Sequence, residues 1–136
     1  MVQLFEQSKI NGMALANRFV RSATWEGLAT DDGASTSRLV DIMARLAAGG
    51  VGLIITGHTY VRPDGQHSPW QLGIYKDELI PGLQAMARAV HDNGGKIVVQ
   101  LGYGGAYLSK SRVRAMTVQD FQDLATAYGA AARRAK

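Results

Sequence analysis

Two copies of one pattern constrain the fold of this chain most strongly: an amphipathic helix, then paired glycines, then a short apolar run. Gly49-Gly50 precedes the run 51–56, and Gly94-Gly95 precedes the run 96–101, 45 residues further on. Both runs are continuous and β-branched, which is typical of parallel strands covered on both faces. Strands that alternate with helices indicate parallel pairing through right-handed crossovers. The sequence therefore predicts an α/β fold.

Apolar spacing and helix-end residues predict three helices. The first runs from Ser35 or Thr36 to Ala48, the second from Asp77 to Asp92, and the third opens at Thr117 with a capping box. We expect their core-facing residues to be Leu39, Ile42, Met43 and Leu46, then Leu79, Leu83, Met86 and Val90, then Phe121, Leu124, Tyr128 and Ala132.

The start of the chain predicts a hairpin and a strand ahead of the first helix. Asn11-Gly12 is a strong indication of a tight hairpin turn, and the segment 17–22 is interpreted as a strand. A doubly wound sheet and the start of an eight-stranded barrel both fit this order. A doubly wound sheet usually carries a glycine-rich loop before a helix. Here Gly102-Tyr-Gly104-Gly105 is followed by Tyr107 where the next glycine is expected. The barrel is favoured.

Composition limits the class of protein. The 136 residues suit one domain, and 46% hydrophobic with 19% charged residues is typical of a chain that buries a core. Cysteine is absent, which excludes a disulfide framework and a cysteine nucleophile. No secretory leader is seen, and no apolar run approaches the roughly 20 residues of a membrane span. We expect a cytoplasmic protein without a membrane partner.

The net charge of +4 permits an anionic partner without requiring one. The clustered basic residues are Lys110, Arg112, Arg114, Arg133, Arg134 and Lys136. These clusters are interpreted as a solvated loop and a helix end whose cations suit the helix dipole. No aromatic residues alternate with them and no nucleic-acid motif is found, so no nucleic-acid partner is expected.

Candidate functional residues lie where the predicted strands end, because such folds carry their chemistry at that edge. The first strand end holds Ser22, Ala23, Thr24 and Trp25, the second Thr56, Gly57, His58 and Thr59, and the third Gln100, Gly102 and Tyr103. One aromatic, one amide and one imidazole among small residues suit a flat, hydrogen-bonding heterocycle better than a bare ion. The sequence therefore predicts a planar cofactor.

Other chemistries lack the residues they need. His58, His67 and His91 have no metal-ligand spacing, so no metal site is predicted. Ser22 has no nucleophile-elbow context, which gives hydrolase chemistry no support. The Gln100 amide, which ends an apolar strand, suits either a structural hydrogen bond or a ligand contact.

Several ordered segments resemble the amino-terminal part of the old yellow enzyme family. The matching segments are Leu4-Phe5, Lys9-Ile-Asn-Gly12, Asn17-Arg-Phe-Val-Arg-Ser-Ala-Thr24, Gly50-Val-Gly-Leu-Ile-Ile55, Gly65-Gln66, Gln71-Leu-Gly-Ile-Tyr75, Asp77-Glu78, Ile80-Pro81-Gly82, Gly95-Lys96-Ile97, Gln100-Leu101, Met116-Thr117 and Ala131-Ala-Arg-Arg-Ala-Lys136. The resemblance implies an incomplete TIM (β/α)8 barrel over residues 1–136, with the amino-terminal hairpin and about the first three strand-helix units.

The resemblance also implies a function. Family members are FMN-dependent NAD(P)H oxidoreductases that pass hydride from NADH or NADPH to FMN and then to an activated alkene or similar acceptor. It implies that Ser22, Ala23, Thr24 and Trp25 present backbone groups to the flavin ring, that His58 lies near its pyrimidine side, and that the Gln100 amide bonds it. Trp25 and Tyr103 are the candidate substrate contacts.

This chain departs from the family at several positions. Ala23 stands where proline is frequent, Trp25 where threonine or cysteine is frequent, and Gly102-Tyr-Gly-Gly105 where many members have Ala-His-Ala-Gly. An eight-stranded barrel takes about 250 residues, and the family's paired donors, tyrosine acid and phosphate cradle belong to later segments. No catalytic residue is therefore assigned here.

The short length leaves two hypotheses open. The chain is either the amino-terminal portion of an FMN-dependent oxidoreductase or a truncated, non-catalytic α/β module. In both cases an incomplete barrel leaves strand edges and apolar surface uncovered. We therefore expect self-association or a complementary chain that completes the barrel, besides a small-molecule substrate.

Overall fold

The computed structural model describes residues 3–104 and 114–136. Its strands are β1 (Ser8–Ile10), β2 (Met13–Leu15), β3 (Val20–Arg21), β4 (Leu53–Ile55), β5 (Thr59–Tyr60), β6 (Ile97–Val98) and β7 (Leu101–Gly102). Its helices are α1 (Ser37–Ala48), α2 (Ile80–Asp92) and α3 (Val118–Arg134), with 3-10 turns at Pro63–Gly65 and Asp77–Leu79. Gly105 and Tyr107, where the sequence departs from the pattern of a phosphate-binding loop, lie outside the described residues.

The predicted amino-terminal hairpin is confirmed. β1 and β2 pair antiparallel with Ile10 opposite Met13. Asn11 and Gly12 form the connection, and both have positive φ, +42° and +93°. Two central residues with positive φ match the twist of the flanking strands, which is why the Asn-Gly pair predicted this turn.

The parallel sheet is also as predicted, with β4 between β3 and β6. The two apolar runs form shorter strands than expected, because each is interrupted and resumes as β5 or β7, which pair in turn. At the interruption the Gln100 amide donates to the Thr56 hydroxyl at 3.2 Å instead of to a backbone carbonyl. The Thr59 amide then donates to the Gln100 carbonyl at 2.8 Å, which restores the ladder.

The first two helices confirm their predicted ends and apolar faces. Thr36 caps α1 by accepting the Leu39 amide, and Gly50 follows the helix at φ +84°. The segment 77–92 begins as the 3-10 turn and continues as α2, with Pro81 in the first turn of the α-helix. The buried residues of these helices are Leu39, Met43, Ala47, Leu79, Leu83, Met86 and Val90. α1 and α2 also pack against each other.

The third helix starts where predicted, and two of its four predicted inward residues pack against the core. Thr117 accepts from the Asp120 amide at 3.2 Å, and the Asp120 carboxylate accepts from the Thr117 amide at 2.7 Å, which completes the capping box. The predicted inward positions Phe121 and Ala132 are exposed. Leu124 and Tyr128 pack against the core as predicted, together with Ala127 and the fully buried Ala131.

Phe121 and Ala132 are exposed because α3 contacts the core along a narrow stripe of residues. Leu124, Ala127, Tyr128 and Ala131 follow the spacing of a single helical stripe, so a neighbour on one side covers them and leaves Phe121 outside it. An exposed ion pair between Arg134 and Asp77, at 2.6 Å, fixes the end of α3 against the turn before α2.

The described strands form open sheets and no closed barrel. β3 and β6 are the outer strands of the three-stranded sheet. Val20 on β3 and Val98 on β6 are 46% and 37% exposed, and Phe5 beside the hairpin is 78% exposed. Within residues 3–104 and 114–136, no helix has the length and apolar character needed to cross a bilayer.

Candidate functional site

A cavity of about 370 Å³ opens at the carboxyl ends of the parallel strands. Its lining residues are His58, His67, Gln100, Gly102, Tyr103 and Gly104. His58 lies between β4 and β5, and Gln100 lies between β6 and β7. Because neighbouring parallel strands end at the same edge, the two side chains meet although they are far apart in sequence. Of the strand-end candidates predicted from the sequence, this cavity brings together His58, Gln100, Gly102 and Tyr103.

Gln100 has a fixed backbone and an available side chain. Its amide donates to the Thr56 hydroxyl and its carbonyl accepts from the Thr59 amide. Its carboxamide, by contrast, makes no hydrogen bond to any residue in the described part of the chain, and the residue is exposed. A carboxamide carries two donors and one acceptor, so Gln100 offers both kinds of group to a ligand in the cavity.

The segment before α1 packs directly beneath His58. Gly57 has no room for a side chain, since a Cβ there would lie 2.6 Å from Glu26 Oε2 and 2.7 Å from the Thr24 carbonyl oxygen. Arg21 pairs with Glu26 at 2.7 Å and also donates to the Ile55 carbonyl at 3.0 Å. The hydrogen bond joins the end of β3 to the end of β4, and the partly buried ion pair joins β3 to the segment before α1.

Trp25 lies beside the cavity and not in its lining. It shares a narrow pocket with His58, and its side chain is 46% exposed. Ser22 and Thr24 are exposed, and Ala23 is half-buried. None of these three lines the 370 Å³ cavity. The role of these residues toward a cofactor therefore stays a prediction. Their link to the cavity is Trp25, which lies next to the lining residue His58.

His67 is the lining residue that sequence reasoning did not assign. Its ring lies edge-on to that of His58, with centroids 5.6 Å apart and planes at 70°. Its Nδ1 is 2.7 Å from the Ser68 hydroxyl. His67 belongs to an irregular loop after the Pro63–Gly65 turn, so neither helical nor strand periodicity could have pointed to it.

Tyr103, which also lines the cavity, is held by hydrogen bonds to a charged group and by close packing. The Tyr103 hydroxyl donates to Asp64 Oδ2 at 3.0 Å, and Arg62 makes two contacts with the same carboxylate at 3.0 and 3.1 Å. At Gly65 an added Cβ would overlap the Tyr103 ring. The phenol is therefore fixed in place.

The electrostatics of the cavity disfavour a positive charge on His58. Burial lowers the pKa of His58 below its ordinary value of 6.5, the electrostatic influence of the neighbouring His67 lowers it further, and Glu26 opposes both. The imidazole is thus neutral at physiological pH and presents one donor and one acceptor. Among the described residues no group of three or more histidine, aspartate or glutamate side chains forms a metal cage.

This pKa predicts how stability responds to acid. Because the pKa of His58 is lower in the folded than in the unfolded chain, the unfolded state binds a proton more tightly below pH 6.5. Protonation of His58 should therefore leave the free energy of unfolding unchanged above pH 6.5 and should lower it at more acidic pH. We expect the urea midpoint to decrease between about pH 7.5 and about pH 5, and the decrease to be smaller in His58→Asn. An equal decrease in both proteins would contradict this assignment.

Fold and cavity together define an α/β protein with an open parallel sheet and a cavity at the carboxyl ends of its strands. The chain matches the NADH:flavin oxidoreductase / NADH oxidase family over residues 3–113. It belongs to that family, and the predicted kinship with old yellow enzymes is confirmed.

Curated relatives agree with this assignment. The chain is 36% identical to an NADH oxidase of Thermoanaerobacter brockii over 103 residues, which are 75% of this chain and 16% of the relative. It is 33% identical to an NADPH dehydrogenase of Listeria welshimeri over 77% of this chain and 31% of the relative. The chain thus spans less than a third of the length of these two relatives.

Solved structures show the same fold. An old yellow enzyme from a Pichia species superposes with a TM-score of 0.86 over 97% of this chain and 42% of that one, at 22% identity. A variant of NCR from Zymomonas mobilis gives 0.79 over 99% and 41%, at 28% identity. Morphinone reductase in complex with tetrahydroNAD, as the N189A mutant, gives 0.68 over 76% and 28%, at 28% identity. The open α/β sheet described above is therefore an old yellow enzyme fold, represented here by part of its length.

Proposed function

We propose that this chain is the amino-terminal portion of an FMN-dependent NAD(P)H oxidoreductase, and that the cavity between His58, Gln100 and Tyr103 receives the flavin ring. The observation that carries the proposal is the Gln100 carboxamide, which lines the cavity with no hydrogen bond to the described chain. Family membership makes the flavin the flat ligand of choice. When bound, FMN supplies hydride transfer from a reduced nicotinamide to an activated alkene or similar acceptor.

The residues of this chain would bind and orient the ring. Gln100 would donate to and accept from the polar edge of the heterocycle, because its carboxamide presents both groups in one plane. His58, neutral at physiological pH, would lie at the pyrimidine side, beside the backbone of Ser22, Ala23, Thr24 and Trp25. Fixed dipoles of this kind tune a bound cofactor without reorganising during the reaction.

The substrate side of the proposal rests on two aromatic residues. Trp25 is half exposed next to His58, and Tyr103 is anchored by Asp64 across the cavity. We propose that they contact the small-molecule acceptor. NADH or NADPH as the hydride donor is supported by the two relatives, which are an NADH oxidase and an NADPH dehydrogenase, and by the nicotinamide analogue in the morphinone reductase complex.

We propose that full oxidoreductase activity requires residues beyond these 136. The chain spans 41% of the Zymomonas NCR variant and 42% of the Pichia enzyme. We propose that a complementary polypeptide, or a second copy, covers the outer strands β3 and β6. FMN bound by the 136-residue chain alone should then be held weakly, because the contacts to its phosphate lie in the remainder.

Titration with FMN, followed by flavin fluorescence, tests the proposal. We expect saturation only in the micromolar range or above, and about tenfold weaker binding by Gln100→Ala, which removes the ring contacts of one carboxamide. The matched control is Gln122→Ala on the exposed face of α3, which should bind as the unmodified chain does.

Three results would contradict it. Equal affinities of the unmodified chain and Gln100→Ala would return Gln100 to a structural role. Saturation at submicromolar FMN would show that the remainder of the barrel is unnecessary for binding. No binding at all would favour the alternative, a non-catalytic α/β module.

A further inference from the structure

Gln71 is a buried polar side chain that the flavin proposal does not use. It is 1% exposed, although glutamine is usually found at the surface. Both ends of its carboxamide are satisfied. Nε2 donates to the His58 carbonyl at 2.9 Å, and Oε1 accepts from the His67 amide at 2.7 Å and from the Ser68 amide at 3.3 Å.

These hydrogen bonds join the two histidines of the cavity. His58 follows β4, and His67 lies in the loop after the Pro63–Gly65 turn, so the two belong to different segments. Gln71 is the side chain that bonds to the backbone of both. Ser68, whose amide it also binds, places a hydroxyl 2.7 Å from His67 Nδ1. The carboxamide thus bonds to the loop at His67 and at Ser68, whose hydroxyl in turn contacts the His67 ring.

The loop also has an unfavourable backbone conformation that needs such support. Trp70, directly before Gln71, has φ +55°, a region that bulky residues rarely adopt. Its carbonyl accepts from the Ala29 amide at 3.0 Å. A strained residue persists only where neighbouring contacts over-determine it. Ala29 on one side and Gln71 on the other supply these contacts.

We propose that Gln71 is a positioning residue that fixes the separation of the His58 and His67 imidazoles and hence the width of the cavity. This role concerns the shape of the site and does not depend on which ligand occupies it. The charged and titratable groups around the pair are Glu26, ion-paired with Arg21, near His58, and Tyr103 of the cavity lining with its partners Asp64 and Arg62. None of these groups contacts Gln71 through a hydrogen bond in the described chain.

The three histidines of the chain make this testable with isotope-labelled histidine, whose ring proton signals report each pKa by NMR titration. Gln71→Met keeps the length of the side chain and removes its hydrogen bonds. In this variant we expect the pKa of His58 to rise toward 6.5, because a larger distance weakens the influence of His67 and entering water reduces the effect of burial. His91, on the exposed end of α2, serves as the internal reference and should not move. Gln122→Met is the matched control.

A second substitution separates positioning from general loosening. His67→Asn removes the neighbouring imidazole that lowers the pKa of His58. As a single substitution it should therefore raise that pKa, and it should have little further effect when added to Gln71→Met. Val90→Ala, which destabilises the core of α2 away from the cavity, should leave the His58 response to His67→Asn intact. The proposal is overturned if His67→Asn moves the pKa of His58 equally with and without Gln71.

A measurement on the unmodified chain keeps the proposal testable even if Gln71→Met does not fold. The His67 amide, in an exposed residue of an irregular loop, should exchange with deuterium slowly because it donates to a buried oxygen. Exchange as fast as that of the exposed Ser22 amide would overturn the proposal. Neither measurement involves FMN, so a failure of Gln71 to position the histidines is distinguishable from a failure of flavin binding.

Discussion

Gly33→Ala is expected to lower the free energy of unfolding by about 3 kcal/mol, from backbone strain and overpacking combined. Gly33 has φ +86°, and a Cβ there would overlap the Tyr60 hydroxyl and lie 2.9 Å from the Gly73 amide nitrogen. Neither neighbour is free to move. Tyr60 is 2% exposed and stacks on Tyr75 at 5.2 Å, and the Gly73 amide donates to the Gly33 carbonyl.

The control for this prediction is Gly94→Ala. Gly94 also has a positive φ, +74°, but a Cβ there would meet nothing within 4 Å. This variant isolates the strain and should lose only about 1 kcal/mol. Urea unfolding followed by circular dichroism measures both. Equal losses for the two variants would show that the space around Tyr60 does not limit residue 33.

The second large effect concerns the outer strands, where the isolated chain should self-associate at micromolar concentration. β3 and β6 each have one unpaired edge within the described sheet, and Val20 and Val98 on them are exposed. At about 25 cal/mol per Å², a few hundred Å² of uncovered apolar surface forfeits several kcal/mol that association recovers. Sedimentation velocity should therefore show dimers or larger species.

Lysine at the two edges should oppose this association. We expect the double variant Val20→Lys/Val98→Lys to weaken it about tenfold, because a charge on an edge strand resists pairing with another chain. Val118→Lys, at an equally apolar position on α3 that is 75% exposed, is the control and should leave association unchanged. A monodisperse monomer of the unmodified chain would contradict the account of the open edges.

Elements with local signals could be predicted from the sequence in detail. The Asn11-Gly12 turn, the Thr36 cap and the Thr117–Asp120 capping box each depend on a few neighbouring residues, and each is found where the sequence places it. On α3 the predictions for Leu124 and Tyr128 are confirmed, and those for Phe121 and Ala132 are wrong because apolar spacing allowed more than one stripe. Which stripe is buried depends on the neighbouring strand β7, which local sequence does not specify.

The residues of the cavity also divide into those that local sequence could predict and those that it could not. His58 and Gln100 could be predicted, because residues that follow parallel strands meet at one edge. His67 and Gln71 could not, because their places depend on hydrogen bonds between segments, such as the one from Gln71 to the His58 carbonyl thirteen positions away. No periodicity or motif encodes such a contact.

The most direct test of the flavin site is the histidine spectrum of the 136-residue chain during FMN titration. If the ring enters the cavity lined by His58 and His67, the signals of these two residues should shift together and saturate with the fluorescence change, since an aromatic ring lies against them. The signal of His91, remote on α2, should stay in place. Shifts confined to His91, or a fluorescence change without any shift at His58 and His67, would contradict the placement of the flavin in this cavity.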